Sequence, residues 1–326
     1  MKFQRTTIAL AAVGTLLLAG CSANGGNGGG SDSDEYSASG TIRMVVAMAA
    51  GGGSDRAGRV MSSAVNEGAQ GYSTVVENRE GGGGAVGWSY FSALSGQPGH
   101  LLVAETALHT LPRQDGVDVP FTYEDFTPIA LFAEDSRMVV APVDFPFDTC
   151  AEVIEASASN DFSAGVSGTF GADGMVLTEL ENAGLDADRV PFGSTGEVVT
   201  GLLGGQIDFA PASAAAVKPY IESGDFKGLC TMTEDRYADD EVLADVGTAV
   251  EQGIDAVVVL WRGVLAPADI SDAAEAFWIE EMQKALQTEG YKDYIETDLL
   301  IENQLFGDDF AAYLDEYDTV IEGYFE

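Results

Sequence analysis

Short apolar runs alternate with amphipathic stretches along most of the chain. Ile42-Arg43-Met44-Val45-Val46 reads as a strand, and an amphipathic helix is expected from about Ser54 to Asn66 after a glycine-rich turn. Thr74–Glu77 reads as a strand, Ala85–Leu94 as a helix and Leu101–Ala104 as a strand. The alternation continues with strands at Arg137–Ala141 and Phe162–Gly165, and helices at Thr149–Ala158, Ala172–Asn182 and Glu197–Leu203. Further strands are expected at Ile207–Ala210, Leu229–Met232 and Val257–Leu260, and two helices, about Ser271–Gln287 and Asp308–Ile321, close the chain. Strand–helix–strand alternation predicts an α/β protein with parallel sheets flanked by helices. No fixed-period repeat is evident. The length, 326 residues, suggests two domains.

The first residues follow a different logic. Lys2 and Arg5 precede an apolar run, Thr7–Leu18, that is too short for an ordinary membrane span and fits a secretory signal. Leu18-Ala19-Gly20-Cys21 resembles the lipobox of bacterial lipoproteins, which implies cleavage before Cys21 and its acylation. Such a protein is anchored to the membrane rather than spanning it. Residues 1–20 are thus expected to be a signal peptide. Residues 21–40, rich in Gly, Ser and Asn, are expected to form a flexible tether. Outside the cell, Cys150 and Cys230 are expected to pair; two buried thiols are the alternative.

Charge narrows the partners. The chain has 53 acidic and 15 basic side chains. Removing Lys2 and Arg5 leaves 13 cations against 53 carboxylates, a net charge of −40. That argues against nucleic acid or an anionic lipid surface as a partner and is compatible with a saline habitat.

Met48-Ala49-Ala50-Gly51-Gly52-Gly53-Ser54-Asp55 joins a strand to a helix. Glycines let backbone amides approach a ligand, and a helix start offers unpaired N–H groups to an anion. The run is neither a dinucleotide fingerprint, because Arg56 stands at the last glycine's place, nor a P-loop, because no Gly-Lys-Ser/Thr follows. By itself it is equally a tight turn.

Val75-Val76-Glu77-Asn78-Arg79, followed by Gly81–Gly84, makes the chain recognisable. Together with Gly51-Gly52-Gly53-Ser54-Asp55 it resembles the substrate-binding proteins of tripartite tricarboxylate transporters (TctC or Bug type). Asp125–Ala130, Gly201–Asp208 and Trp261-Arg262-Gly263-Val264-Leu265-Ala266-Pro267 are similar to later motifs of that family, and the resemblance runs from Thr41 to about Phe325.

The resemblance implies a Venus flytrap of the type II periplasmic-binding kind: two α/β domains joined by two crossing strands. Domain 1 would comprise residues 41–136 plus 230–326, and domain 2 residues 137–229. Ligand would sit in the cleft, held by Gly51, Gly52, Gly53, Ser54 and Asp55 from one side. Ser167, Thr169, Phe170, Gly171, Ala172 and Asp173 would face them from the other, so that two helix N-termini grip the two ends of a di- or tricarboxylate. Arg262, Ser194, Thr195 and Ser213 are further candidates, and Trp261 and Phe170 are candidate walls. A guanidinium can hold a carboxylate through two parallel hydrogen bonds, although in so acidic a chain Arg262 has ready structural partners. Asp55 and Asp173 are expected to cap helices rather than touch an anion. The sequence departs from the family at Met48 and Ala49, where Phe and Pro are usual, and at Pro191–Gly196. That puts the identity of the ligand in doubt.

Catalysis finds little support. The only histidines, His100 and His109, lack zinc-site spacing, and there is no Gly-x-Ser-x-Gly elbow. His109 is read as a loop residue. The expected partners are a citrate-like carboxylate and the membrane permease subunits, with the protein itself a monomer that holds no cofactor and no metal. A carboxylate sensor feeding a signalling receptor is the alternative.

Overall fold

The structure, a computed structural model, describes residues 35–114, 116–167 and 171–325. The described residues fall within one compact unit, Glu35–Glu326. The expected signal peptide, Cys21 and most of the expected tether lie outside the described residues, as do Thr169 and Phe170.

β1 (Gly40–Val46), α1 (Gly53–Gly68), β2 (Tyr72–Asn78), α2 (Ala85–Ser92), β3 (His100–Glu105) and the short α3 (Ala107–Thr110) form the first half of the larger sheet and its cover. β1 lies between β2 and β3 and is parallel to both. In α1, Ala57, Met61, Ala64 and Val65 face inward at helical spacing. They join Ile42, Met44, Leu101 and Trp278 in one core cluster.

β4 (Phe126–Pro142) is a single 17-residue strand. The apolar pattern predicted only the piece Arg137–Ala141, with Asp135 and Arg137 at its edge. The strand continues through them because their charges satisfy each other. β4 changes partners along its length. Residues Phe126–Ser136 pair with β9 (Val259–Pro267), and β10 (Leu305–Phe306) borders the same half. Arg137–Pro142 pair instead with β7 (Ala210–Ser213) and β8 (Phe226–Thr231). The parallel sheet expected from the alternation is therefore mixed: β9 runs antiparallel to both β3 and β4, because the chain leaves for the far half along β4 and returns along β9.

The far half also carries α4 (Cys150–Ser157), β5 (Phe162–Val166), α5 (Ala172–Asn182), β6 (Ala187–Pro191), α6 (Thr195–Leu203) and α7 (Ala214–Ser223). Thr149 starts α4 with a capping box: its hydroxyl accepts from Glu152 N, and the Glu152 carboxylate accepts from Thr149 N. β5 and β6 pair in parallel. Met138, Val140, Val198, Leu202 and Val217 form a separate core cluster there. Cys150 at the start of α4 and Cys230 in β8 are joined by a disulfide, with Cα atoms 5.7 Å apart.

α8 (Asp272–Ala285), α9 (Glu289–Thr297) and α10 (Gly307–Glu322) close the chain. The sequence reading missed α9. Its apolar positions, Tyr291 and Tyr294, are few, but both are buried, and the Tyr291 hydroxyl donates to Phe132 O in β4.

Candidate functional site

The register of three adjacent strands gathers charge on one face. Glu105 at the end of β3 lies directly opposite Arg262 in β9, and Leu260 of β9 lies opposite Asp135 of β4. Residues two apart share a face of a strand, so Arg137 follows Asp135 to the same side. Glu105, Asp135, Arg137, Leu260 and Arg262 all line one cavity of about 150 Å³. Trp261, Thr106, Ala107 and Thr110 complete its wall on this side, and Gly171 and Ala172, at the start of α5, contribute from the far half. The cavity thus sits at the end of β3, at the start of β9 and at the point along β4 where that strand changes partners.

The two guanidiniums are anchored by carboxylates. Arg262 Nη2 donates to Asp135 Oδ2 at 2.8 Å, and Arg137 Nη1 lies 3.3 Å from Asp135 Oδ1. Burial alone would raise the Asp135 carboxyl, but the two arginines outweigh it and hold it below the usual range. Arg137 Nε also donates to Asp173 Oδ1 at 2.9 Å. Among the described residues, Asp135 is the one hydrogen-bond partner of the Arg262 guanidinium, and Arg262 Nε is a buried donor with no acceptor. The Trp261 indole nitrogen is also buried and unpartnered. A buried donor without an acceptor is costly, so the Arg262 side of the cavity favours a ligand that brings acceptors, whereas Trp261, one residue along β9, packs on the other face against Phe310.

The two glycine-bearing loops are organised in the same way. In the first, Asp55 Oδ2 accepts from Gly51 N at 2.8 Å and from Arg59 Nε at 2.9 Å, while Oδ1 accepts from Asn78 Nδ2. The bond from Arg59 is the largest reason that the Asp55 carboxyl is lowered to about 2. Gly51 sits at φ 88°, which a side chain would strain. A Cβ on Gly53 would come within 3.3 Å of Arg262 Nη2, so the α1 start lies against that guanidinium. In the second loop, Asp173 Oδ2 accepts from Ser167 N and Oγ. Both aspartates therefore tie down their loops.

Of the residues singled out in the sequence, Gly171, Ala172 and Arg262 line the cavity, with Trp261 beside them. Gly53 packs against Arg262. Ser54 donates to Glu105 Oε2 at 2.7 Å. Gly51, Gly52 and Asp55 shape the loop behind, and Ser167 and Asp173 stand behind Arg137. Ser194 caps α6 by accepting from Glu197 N, and the Ser167 and Thr195 hydroxyls are 3.4 Å apart. Ser213 pairs with Arg137 in the sheet. Neither Ser194 nor Ser213 is part of this cavity wall.

Glu105, Asp135 and Arg137 were not picked out in the sequence. A signal existed: Asp135-Ser136-Arg137 places two opposite charges two apart inside an apolar run, where a buried strand has no reason for them. His109, read as a loop residue, lies instead in α3 and is buried, with Nδ1 3.0 Å from Asp318 Oδ1. A larger groove of about 750 Å³ includes Lys218, Arg236, Tyr237 and Asp240. Its cations are already paired, Lys218 with Asp240 and Arg236 with Glu251. Among the described residues, no group of three or more His, Cys, Asp or Glu is placed to hold a metal ion. No helix among them is long and apolar enough to cross a membrane.

Comparison with known proteins agrees with this architecture. The family model of the tripartite tricarboxylate transporter family receptor, TctC, matches residues 59–302. Protein BugT of Bordetella pertussis is 25% identical over 256 residues, covering 76% of each chain. A UPF0065 protein of Agrobacterium vitis is 27% identical over 259 residues, 78% of this chain and 72% of that one. The structure of a TctC solute-binding protein from Polaromonas, without ligand, superposes with a TM-score of 0.75 at 26% identity, covering 87% of this chain and 97% of that one. Two Rhodopseudomonas palustris proteins share the fold at lower identity. MatC with bound malate has a TM-score of 0.70 at 22% identity, covering 88% and 99% of the two chains. A protein with adipate has a TM-score of 0.75 at 18% identity, covering 87% and 95%. The chain, with its two-domain α/β fold, belongs to the TctC family of extracytoplasmic solute-binding receptors.

Proposed function

We propose that this protein captures a small di- or tricarboxylate in the cavity beside Arg137 and Arg262 and hands it to a membrane permease. The observation that carries this reading is the pair of guanidiniums on one cavity wall, facing the N-terminus of α5. A helix start and two arginines favour carboxylate oxygens over water. The bound malate and adipate of the two structural relatives belong to the same ligand class. The Trp261-Arg262-Gly263 motif keeps citrate-like acids among the candidates.

In this reading the lobes are residues 41–136 plus 230–326 and residues 137–229. The change of β4 partners after Ser136 supports that boundary. A ligand that touches Arg262 on one side and the α5 start on the other stabilises the closed arrangement through its differential contacts. Cys21 would carry the lipid that keeps the receptor at the membrane.

Calorimetric titration with citrate, tricarballylate, succinate, malate, glutamate and adipate tests the binding step. One-to-one binding of at least one of these acids is expected, weakened about tenfold or more in Arg262→Gln, as for loss of a charged hydrogen bond. Folded protein that binds none of them would refute the reading. Uptake of the bound acid by cells with and without the protein separates transport from sensing.

A further inference from the structure

The cavity is not uniformly suited to an anion. Glu105 forms part of its wall and is half-buried. Its Oε2 already accepts the Ser54 hydroxyl proton, and Oε1 has no hydrogen-bond partner among the described residues. Ser54 has therefore spent its one donor and has only lone pairs left to offer. The Ser54–Glu105 side-chain pair can therefore accept hydrogen bonds but has none left to donate. Around the cavity, three carboxylates (Glu105, Asp135 and Asp173) stand against two guanidiniums. Asp135 and Asp173 are consumed by the arginines, whereas Glu105 is not ion-paired.

A plain dicarboxylate placed here would set one end, or its bare methylene chain, against the Glu105 carboxylate. Like charges in a partly buried site repel, and a carboxylate left without a donor loses its hydration for nothing. An acid that carries a donor beside one of its carboxylates meets both needs. Its carboxylate takes Arg262, and the neighbouring donor takes Glu105, which lies directly across the strand pair from Arg262.

We propose that Glu105 is the specificity-determining residue of this receptor, and that it selects 2-hydroxy or 2-amino carboxylic acids over unsubstituted ones. The inference rests on the carboxylate-binding reading of the same cavity and sharpens it: the ligand is an acid with a hydrogen-bond donor on the carbon next to a carboxylate.

The test is titration of the full-length protein with malate, aspartate and succinate, which share a four-carbon diacid frame and differ only in the donor. Wild type is expected to bind malate or aspartate about tenfold or more tighter than succinate, the size expected for a hydrogen bond to a charged group. The tighter of the two tells hydroxyl from ammonium. Glu105→Gln keeps the shape and removes the charge. It is expected to weaken the substituted acid and strengthen succinate, bringing them within about threefold. Glu105→Asp, which retains the carboxylate on a shorter stem, is expected to keep malate or aspartate ahead of succinate, so the assignment does not hang on one variant. Succinate bound as tightly as malate and aspartate by wild type, with Arg262→Gln still weakening all three, overturns the selection and leaves carboxylate capture standing. An order unchanged in Glu105→Gln overturns it too. Failure of all three acids to bind overturns both readings together.

Discussion

Arg262 illustrates how one residue can be structural and functional at once. In the sequence it is a lone cation in an acidic chain, with two competing roles: salt-bridge partner or ligand contact. The structure gives it Asp135 as partner and still leaves it on the cavity wall. The pairing orients the guanidinium without exhausting its five donors. Arg137, on the same wall, was invisible to motif reading because it is no part of a glycine loop. It becomes visible only when the strand register brings it to the face shared with Asp135. His109 carries a separate prediction. Burial, only partly countered by Asp318, lowers its pKa to about 4, from an ordinary 6.5. The unfolded chain therefore takes up a proton that the native state refuses between those values. Stability from this group is complete above about pH 6.5 and is lost as pH falls towards 4, by about 3 kcal/mol in all. Denaturant melts across that range should show a shallower acid loss in His109→Gln than in wild type. Parallel curves would show that His109 is not the titrating group.

At the scale of elements, most of the strand–helix order was legible, because each amphipathic run buries one face at the expected spacing. The exceptions have physical causes. β4 is longer than its apolar pattern because Asp135 and Arg137 neutralise each other inside it. The sequence strand at Ile207–Ala210 appears instead at Ala210–Ser213, where β4 offers a pairing edge. α9 escaped notice because its inward face consists of tyrosines rather than aliphatic residues. The candidate site was half legible. The two glycine loops could be read from composition, but the cavity wall comes from β3, β4 and β9, whose pairing no local pattern announces. The disulfide between α4 and β8 closes a loop of 80 residues. Its removal in the Cys150→Ala, Cys230→Ala double variant should cost about 4 kcal/mol on the chain-entropy model. That corresponds to a melting temperature lower by roughly ten degrees, readable by calorimetry. An unchanged melting temperature would show that the bridge does not restrain the unfolded chain.

At the scale of the molecule, a formal charge of −38 poses an apparent conflict with anion capture. Range resolves it. The global field is screened over about 8 Å at physiological ionic strength, whereas guanidinium and helix-start contacts act at hydrogen-bond distance. The same screening relieves self-repulsion of the folded chain. Melting temperature should therefore climb steadily from about 50 mM to about 1 M sodium chloride. A flat or falling curve would mean that the local ion pairs, which salt weakens, dominate over the net charge. Ligand on-rates should rise with salt as well, because the repulsion felt by an approaching dianion is long-ranged.

The central claim is that a carboxylate sits between the Arg137–Arg262 pair and the start of α5. A crystal structure of the protein with its tightest-binding acid tests it most directly. The account predicts carboxylate oxygens within hydrogen-bond distance of the Arg262 guanidinium and of the first-turn amides of α5, with Glu105 accepting from the donor beside the Arg262-bound carboxylate. An acid bound instead in the groove between Lys218 and Arg236, with this cavity filled only by water, would contradict it.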